Sequence, residues 1–283
     1  MKLALIGVGL IGGSFALAVR AVGKFDHVVA FDSAPEALQR AAALGVIDEA
    51  SPSAAHAAID ASLVMIATPV GSTQAVLRDI APNLTSSAIV TDVGSAKGSV
   101  IEGARSELGA AFSRFVPGHP IAGREHSGVQ FADAALFRDK IFVSVPSVQT
   151  DAGALLTMET LWRDIGCRIE RMTSEEHDSI FAAVSHLPHL LAFALVDHVA
   201  AQPDAARKFA MSGAGFRDFT RIAASNPKMW SDICVANRIA LGGELRAQRK
   251  LLEELQYAVD SGDADELHRV FTRAAAARLQ VLG

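Results

Sequence analysis

The chain has 283 residues, 50% of them hydrophobic, and a formal net charge of −5. This length suits one large domain or two smaller ones, and the apolar content is enough for a substantial core. The negative charge and the lack of a basic block argue against nucleic acid as a partner. The two cysteines, Cys167 and Cys234, form no framework pattern and are typical of thiols in a reducing compartment. We therefore expect a cytoplasmic protein.

The first twenty residues are apolar enough to resemble a signal peptide. Gly7, Gly9 and Gly12 interrupt the apolar run at the spacing of a nucleotide-binding loop, so we expect this segment to belong to the fold. The run is also too short and too rich in glycine for a membrane-spanning helix, which needs about 20 apolar residues. We expect no membrane as a partner.

Strand-like and helix-like segments alternate over the first 171 residues. The predicted strands cover residues 3–6, 28–31, 63–67, 88–91, 115–116, 141–145 and 167–169. The predicted helices follow the glycine loop to residue 21 and then cover residues 35–44 and 153–165. Such alternation predicts an α/β fold of the Rossmann type, with a doubly wound, mostly parallel sheet covered by helices on both faces.

From residue 172 onward, helical periodicity replaces the strand patterns. The predicted helices cover residues 175–201, 227 to about 259, and 265–282. We therefore place a domain boundary here, giving a nucleotide-binding domain over 1–171 and an all-helical domain over 172–283. Residues 182–196 carry few charges. This favours burial against a second copy of the chain, as a homodimer, over burial within one domain.

A glycine-rich fingerprint, Gly7-Val8-Gly9-Leu10-Ile11-Gly12, follows the first predicted strand and opens a helix. In this context the first glycine makes a tight turn, the second admits a pyrophosphate, and the third allows close packing of helix on sheet. The helix N-terminus then offers N–H donors to the phosphates. We expect Gly7, Gly9, Leu10, Ile11 and Gly12 to contact a dinucleotide.

Asp32 ends the second predicted strand, 20 residues after Gly12. A carboxylate at that point accepts hydrogen bonds from ribose hydroxyls and repels a 2′-phosphate. The next residues, 33–35, include no arginine that could hold such a phosphate, so NAD is favoured over NADP. The alternative is a solvated carboxylate at a strand end. Thr68 and Pro69 follow the third strand and are expected to line the same cofactor site.

His119 lies in the segment Gly118-His119-Pro120, where we expect it on a loop at the end of a strand. An imidazole titrates near neutral pH and can exchange a proton at working pH. Ser95 follows another strand end, and both residues are expected at the carboxyl edge of the sheet, where ligands of α/β folds bind. The alternatives are a structural histidine and a serine that caps a turn or helix. A nucleotide site with a histidine indicates redox chemistry on an alcohol.

With these residues in view, the sequence resembles the prephenate/arogenate (cyclohexadienyl) dehydrogenase family of tyrosine biosynthesis. Six ordered segments carry the resemblance: GVGLIGGS (7–14), ATPV (67–70), DVGSAKG (92–98), GHPIAGREHSG (118–128), SHLPH (185–189) and GFRDFTRIAASNPKMW (215–230). The resemblance implies that NAD takes a hydride from C4 of a cyclohexadienol while carbon dioxide leaves C1. The product would be 4-hydroxyphenylpyruvate from prephenate, or tyrosine from arogenate.

The resemblance also implies roles for individual residues. His119 would accept the proton of the C4 hydroxyl or stabilise the developing charge, and Ser95 would bond the same hydroxyl or orient His119. Arg221 would bind a substrate carboxylate, because its planar fork suits that geometry. A surface salt bridge is the alternative for Arg221. Arg217, one helical turn earlier, is its nearest competitor.

Four further residues are candidates for the substrate pocket, which we expect in the cleft between the domains. His189 is favoured as a pocket residue, whereas functional and core interpretations of His186 are evenly balanced. Glu125 would contact the polar end of the substrate or gate the pocket, unless it is an ordinary loop residue. Trp230 would line the wall, with a plain core position as the alternative. No metal site is expected.

Two other functions are weighed against this one. A different NAD(P)-dependent hydroxyacid dehydrogenase of the same layout would use a lysine in the helical domain, but residues 174–206 contain none. A non-catalytic NAD sensor would need neither the pair Ser95 and His119 nor Arg221. The sequence does not decide between prephenate and arogenate.

Overall fold

The computed structural model describes residues 1–124 and 126–282. Its strands are β1 (Lys2–Ile6), β2 (His27–Phe31), β3 (Glu49–Ala50), β4 (Leu63–Ile66), β5 (Ile89–Asp92), β6 (Phe115–Val116), β7 (Gly118–Pro120), β8 (Ile141–Ser144) and β9 (Arg168–Arg171). The helices that precede β9 in the chain are α1 (Leu10–Ala21), α2 (Pro35–Ala43), α3 (Ala54–Ala58), α4 (Thr73–Ile80), α5 (Gly98–Glu107) and α6 (Ala152–Asp164). Those that follow are α7 (Ser174–Phe181), α8 (Leu187–Ala200), α9 (Ala205–Ala210), α10 (Ala214–Thr220), α11 (Pro227–Ala236), α12 (Arg238–Ser261) and α13 (Ala264–Leu282).

Six strands form a parallel sheet in the order β3-β2-β1-β4-β5-β6. This is the strand order of the Rossmann fold, in which ligands bind beyond the carboxyl ends of the strands on either side of the point where the order reverses. That point lies between β1 and β4. The predicted fold class is therefore confirmed.

The core lies on both faces of this sheet. Successive residues of β1 alternate between two apolar clusters, with Leu3 and Leu5 in one and Ala4 and Ile6 in the other. Because side chains along a strand point to opposite faces, a strand buried on both sides reads as a continuous apolar run. This is why β1 and β4 could be recognised from their sequences.

The last three strands form a separate sheet, in the order β7-β8-β9, rather than extending the main one as predicted. β7 pairs antiparallel with β8, and His119 faces Val143 in that register. The prediction that His119 lies on a loop is therefore wrong, because Gly118–Pro120 is itself a strand.

The helical segment begins as predicted, with Ser174–Ala200 running without a break through a π-helical turn at Ala182–His186. Pro188 has no N–H to donate to the carbonyl four residues earlier, and a wide turn is one way in which a helix absorbs this loss. By length and composition this segment could cross a membrane, and only 28% of its most apolar 18-residue stretch is buried.

The prediction of one helix from 227 to about 259 is wrong, because Asn237 separates α11 from α12. Its side-chain amide donates to the Asp178 carbonyl oxygen at 2.8 Å and lies 3.0 Å from His186 Nδ1. These tertiary bonds fix Asn237 where the periodicity alone would continue the helix. The short helices α9 and α10 were not predicted.

The chain divides into two compact units, Met1–Arg238 and Ile239–Gly283. The second contains most of α12 and all of α13. Gly262, with φ of +71°, ends α12, and the amide of Asp263 donates to the Ala258 carbonyl at 2.8 Å. This is a Schellman cap, which explains why the helix ends close to the predicted position near residue 259.

Candidate active site

The glycine loop between β1 and α1 has no room for side chains at two of its positions. Gly7 has φ of +98°, and a Cβ there would lie 2.6 Å from the Ala67 carbonyl oxygen. A Cβ on Gly12 would lie 2.2 Å from the Gly7 carbonyl oxygen. The close turn and the close packing predicted from the fingerprint are therefore both present. They aim the N-terminus of α1 beyond the carboxyl edge of the sheet, where a pyrophosphate would be held.

Asp32 lies at the carboxyl end of β2 and is fixed by two backbone amides. Its Oδ2 accepts from Val8 N and its Oδ1 from Ala34 N, both at 2.9 Å. It lines a cavity of about 260 Å³ together with Gly9, at the start of α1. The carboxylate is thus held beside the phosphate loop, at the position that the ribose interpretation requires.

An arginine also lines this cavity, which the sequence analysis did not foresee. Arg40 follows Pro35 by five residues, and the turns of α2 bring it to the Asp32 cavity. Its Nη1 donates to Gln130 Oε1 at 3.3 Å. A cation is therefore available near the ribose position. Asp32, unlike Arg40, is hydrogen-bonded directly to the phosphate loop, through Val8 N.

Replacement of Asp32 by serine is expected to raise the KM for NAD by roughly 10-fold or more, since a hydrogen bond to a charged group contributes about 1.5–3 kcal/mol. We also expect activity with NADP to rise, because the repulsion disappears while Arg40 remains. Steady-state kinetics with both cofactors test this, with the exposed Glu49→Ser as control. An unchanged KM for NAD would remove Asp32 from the cofactor site.

Thr68 supports the assignment of the remaining cofactor contacts. Thr68 lies just after β4, and its Oγ1 is buried and makes no hydrogen bond among the described residues. An unpaired buried hydroxyl is costly unless a ligand satisfies it. Pro69 comes next and precedes the 3₁₀ turn Val70–Ser72. The glycine loop, Asp32 and Thr68 together fit a dinucleotide laid across the edge of the sheet.

His119 lines a second cavity, of about 510 Å³, together with Ser95, Trp230 and residues that follow β7. Its half-buried ring packs against Phe181, with ring centroids 4.9 Å apart. Ser95 does not cap α5, whose N-cap residue is Lys97. No hydrogen bond joins the side chains of the two described residues Ser95 and His119. Ser95 therefore lines the cavity without orienting the histidine.

His119 is instead bonded to a histidine that the sequence analysis missed. His119 Nδ1 lies 2.9 Å from His177 Nε2, and His177 Nδ1 lies 2.8 Å from Asp178 Oδ1. Asp178 Oδ1 and Oδ2 also accept from the amides of Lys97 and Gly98, at 2.8 and 2.9 Å. Adjacent histidine and aspartate at the start of a predicted helix were the signal that could have revealed them.

A buried ion pair fixes the backbone next to His119. Lys97 Nζ is bonded to Asp92 Oδ2, and these side chains are 0% and 1% exposed. The same Nζ donates to the Gly118 carbonyl at 2.7 Å, while Gly118 N donates to Asp92 Oδ1 at 3.3 Å. Removing either charge would leave the other buried and unpaired, which is strongly destabilising. The pair therefore holds β7, and with it His119, against the end of β5.

The histidines of this cluster are held neutral. Desolvation, followed by the charges of His177 and Lys97, places the pKa of His119 well below its usual value. Burial lowers the pKa of His177 although the Asp178 carboxylate opposes this. Burial lowers the pKa of His186 to about 4. A neutral His119 retains a ring nitrogen that can accept a proton.

These pKa shifts predict a loss of stability in mild acid. In the unfolded chain a histidine has a pKa of about 6.5, so below that pH it binds a proton that folded His119, His177 and His186 do not bind. The free energy of unfolding must therefore decrease as the pH is lowered. We expect a slope of about 1.4 kcal/mol per pH unit for each proton, measured by urea unfolding between about pH 7.5 and 5. Carboxylates such as Asp178 titrate below this window.

The control is His56→Gln, which removes an exposed histidine on α3 and leaves the buried cluster intact. A free energy of unfolding that stays constant across this pH window would contradict the description of the cluster.

The helical segment contributes the opposite wall. The ring of His189 stacks on Trp230, with centroids 3.5 Å apart, and His189 Nδ1 donates to the Ser185 carbonyl at 2.9 Å. Arg221 begins a 3₁₀ turn, Arg221–Ala224, and its charge helps to lower the pKa of His189 after the larger effect of burial. His189 and Arg221 therefore lie near Trp230, but of these three residues only Trp230 lines the cavity.

The two remaining candidates for the substrate pocket are His186 and Glu125. His186 is completely buried and bonded to Asn237, which favours its core interpretation. Glu125 lies outside the described residues. Trp230 Nε1 is buried and, among the described residues, has no hydrogen-bond partner. That donor is available to a polar group of a ligand.

Comparison with known proteins decides the family. Residues 15–171 match the family model described as "Prephenate dehydrogenase, nucleotide-binding domain", and residues 173–273 match "Prephenate dehydrogenase, dimerization domain". The chain belongs to the prephenate dehydrogenase family. Cyclohexadienyl dehydrogenase of Zymomonas mobilis is 36% identical over 279 residues, which is 98% of this chain and 94% of the relative.

Solved structures of prephenate dehydrogenases have the same fold. The crystal structure of the Aquifex aeolicus enzyme in complex with hydroxyphenyl propionate and NAD+ is 35% identical, with a TM-score of 0.91 over 99% of this chain and 98% of that one. Synechocystis arogenate dehydrogenase is 28% identical, with a TM-score of 0.80 over 100% of both chains. The resemblance read from the sequence is therefore confirmed.

Proposed function

We propose that this protein catalyses the NAD-dependent oxidative decarboxylation of prephenate to 4-hydroxyphenylpyruvate, of arogenate to tyrosine, or of both. The observation that carries the proposal is the place of His119. Neutral and backed by buried groups, it lines a cavity of about 510 Å³ near the carboxyl edge of a dinucleotide-binding sheet. Membership of the prephenate dehydrogenase family supports the same reaction.

The chemistry at His119 follows from charge balance. When bound, NAD accepts the hydride that leaves C4 of the substrate. As that hydride departs, the C4 hydroxyl becomes acidic, and His119 Nε2 takes its proton or shares it through a strong hydrogen bond. The C1–carboxylate bond breaks, and its electron pair enters the ring as carbon dioxide leaves. Because the overall reaction releases no proton, His119 returns the proton to the phenol oxygen.

The other side chains bind and orient. Ser95 on the cavity wall is placed to bond the C4 hydroxyl. Arg221 binds a carboxylate of the substrate in a bidentate manner, with His189 beside it. Trp230 supplies an apolar wall for the ring and a buried N–H. Gly7, Gly9, Leu10, Ile11, Gly12, Asp32, Thr68 and Pro69 hold the cofactor, and Glu125 and His186 have the weakest support.

We further propose that the enzyme is a soluble, cytoplasmic homodimer whose boundary between domains lies at 171/172. Only 28% of the most apolar stretch of Ser174–Ala200 is buried, Ile180 is 45% exposed, and the matched family model over 173–273 is named for dimerisation. Cys167 and Cys234 are free thiols, as a reducing compartment allows. Sedimentation equilibrium tests the dimer, and a monomer at micromolar concentration would overturn it.

The function is tested by mixing the purified protein with NAD and either prephenate or arogenate, and following NADH by absorbance. The proposal predicts NADH with at least one of the two. The ratio of their catalytic efficiencies then assigns the substrate. No NADH with either would favour another hydroxyacid dehydrogenase or a non-catalytic NAD-binding protein.

A further inference from the structure

The bonds behind His119 form a chain with a defined direction. It runs from Asp178 on α7 to His177 and then to His119 on β7, through contacts of 2.8 and 2.9 Å. His177 is completely buried, so water does not supply alternative partners for its two ring nitrogens. In a neutral imidazole one nitrogen donates and the other accepts. The proton positions along the chain are therefore coupled.

Asp178 sets the first link. Its carboxylate accepts from Lys97 N, Gly98 N and His177 Nδ1, and Gly98 is the first residue of α5. Its position at a helix N-terminus favours negative charge. Burial raises the pKa of Asp178, but the bonds from His177 and the two amides outweigh this and lower it. An ionised carboxylate can only accept, so His177 Nδ1 must carry a proton.

The second link follows from the first. With its proton on Nδ1, neutral His177 presents a lone pair on Nε2, which accepts from His119 Nδ1. The proton of neutral His119 is then on Nδ1, and Nε2 is the free base. In water a neutral histidine prefers the opposite arrangement, with the proton on Nε2, so the chain selects the less common tautomer.

We propose that His177 and Asp178 are positioning residues, which hold the proton of neutral His119 on Nδ1 and so present its Nε2 lone pair to the cavity. The tautomer follows from the hydrogen bonds of His177 and from the ionised carboxylate of Asp178, whereas its use in proton transfer rests on the proposed function. The logic is that of a carboxylate that fixes a histidine base in a hydrolase, with one more imidazole in the chain. Lys97, Asp92 and His186 are the other titratable groups near the pair.

The tautomer can be measured directly. In protein labelled with ¹⁵N-histidine, two-bond ¹H–¹⁵N correlation spectra distinguish a protonated from an unprotonated ring nitrogen, and His119→Asn assigns the signals. We expect His119 to carry its proton on Nδ1 and none on Nε2 at about pH 8. A proton on Nε2 would overturn the proposal, whatever the enzyme's substrate.

Two substitutions of His177 separate positioning from packing. His177→Phe keeps the ring but removes the acceptor, and we expect kcat to fall by about 10²-fold, because loss of the correct tautomer costs up to about 10⁴-fold in a related arrangement. The KM values should change by less than about two-fold. His177→Gln places an amide oxygen near the former Nε2 and should recover about 10-fold or more of that loss.

Equal loss in both variants, or a loss expressed in KM, would show that His177 only fills space and would overturn the proposal. If His177→Phe does not fold, the comparison of His177→Gln with wild type and the spectra of the wild-type protein still decide. If the wild-type protein forms no NADH with prephenate or arogenate, the proposed function fails, while the spectra report on the tautomer independently.

Discussion

Replacement of His119 by asparagine is expected to lower kcat by about 10²- to 10⁴-fold, the usual contribution of general acid–base catalysis. Asparagine can donate from its amide to His177 Nε2, so the buried chain stays bonded, but it cannot take a proton from the C4 hydroxyl. The dissociation constant for NAD should be unchanged, because Asp32 and the glycine loop are untouched. Steady-state kinetics and a cofactor titration measure the two quantities.

The matched control is His56→Asn, an exposed histidine on α3 that should leave kcat as it is. Turnover within about three-fold of wild type in His119→Asn would mean that proton transfer at C4 does not limit the reaction, or that another group performs it. Ser95 would then be the next candidate, since it lines the same cavity.

Replacement of Arg221 by alanine is expected to raise the KM for substrate by roughly 10- to 150-fold with little effect on the KM for NAD. The estimate follows from about 1.5–3 kcal/mol for a hydrogen bond to a charged group, with 1.4 kcal/mol for each factor of ten. The KM of Arg221→Lys for substrate should lie between the values of the wild type and of Arg221→Ala, because lysine keeps the charge but not the planar fork. Initial rates over a range of substrate concentrations test this.

Arg207→Ala on α9 is the control, since it removes an exposed arginine from the same helical segment. If Arg221→Ala lowers the free energy of unfolding but leaves the KM for substrate unchanged, the residue stabilises the 3₁₀ turn and does not bind the carboxylate. Arg217→Ala, measured alongside, distinguishes the two neighbouring arginines.

Features that depend on local sequence could be predicted. β1 and β4 are apolar runs because both faces of the sheet are covered, and the glycine fingerprint carries its own geometry. The three-residue strand Gly118–Pro120 has no periodicity to reveal it, and only its pairing with β8 makes it a strand. For that reason His119 was expected on a loop.

Features that depend on long-range contacts could not be predicted. Arg40 reaches the Asp32 cavity because α2 turns it there. Asn237 breaks a helix through bonds to Asp178 and His186, which are 59 and 51 residues away in sequence. His177 and Asp178 acquire a role only because α7 packs beside β7. The sequence thus predicted the residue at the centre of the site but not the groups that orient it.

The central claim is that hydride loss at C4 and loss of carbon dioxide from C1 are one coupled reaction. It is tested most directly by measuring NADH and released carbon dioxide together, with whichever of prephenate and arogenate is turned over. We predict one carbon dioxide for each NADH throughout the reaction. NADH formed without carbon dioxide would indicate an ordinary alcohol dehydrogenase and would contradict this account.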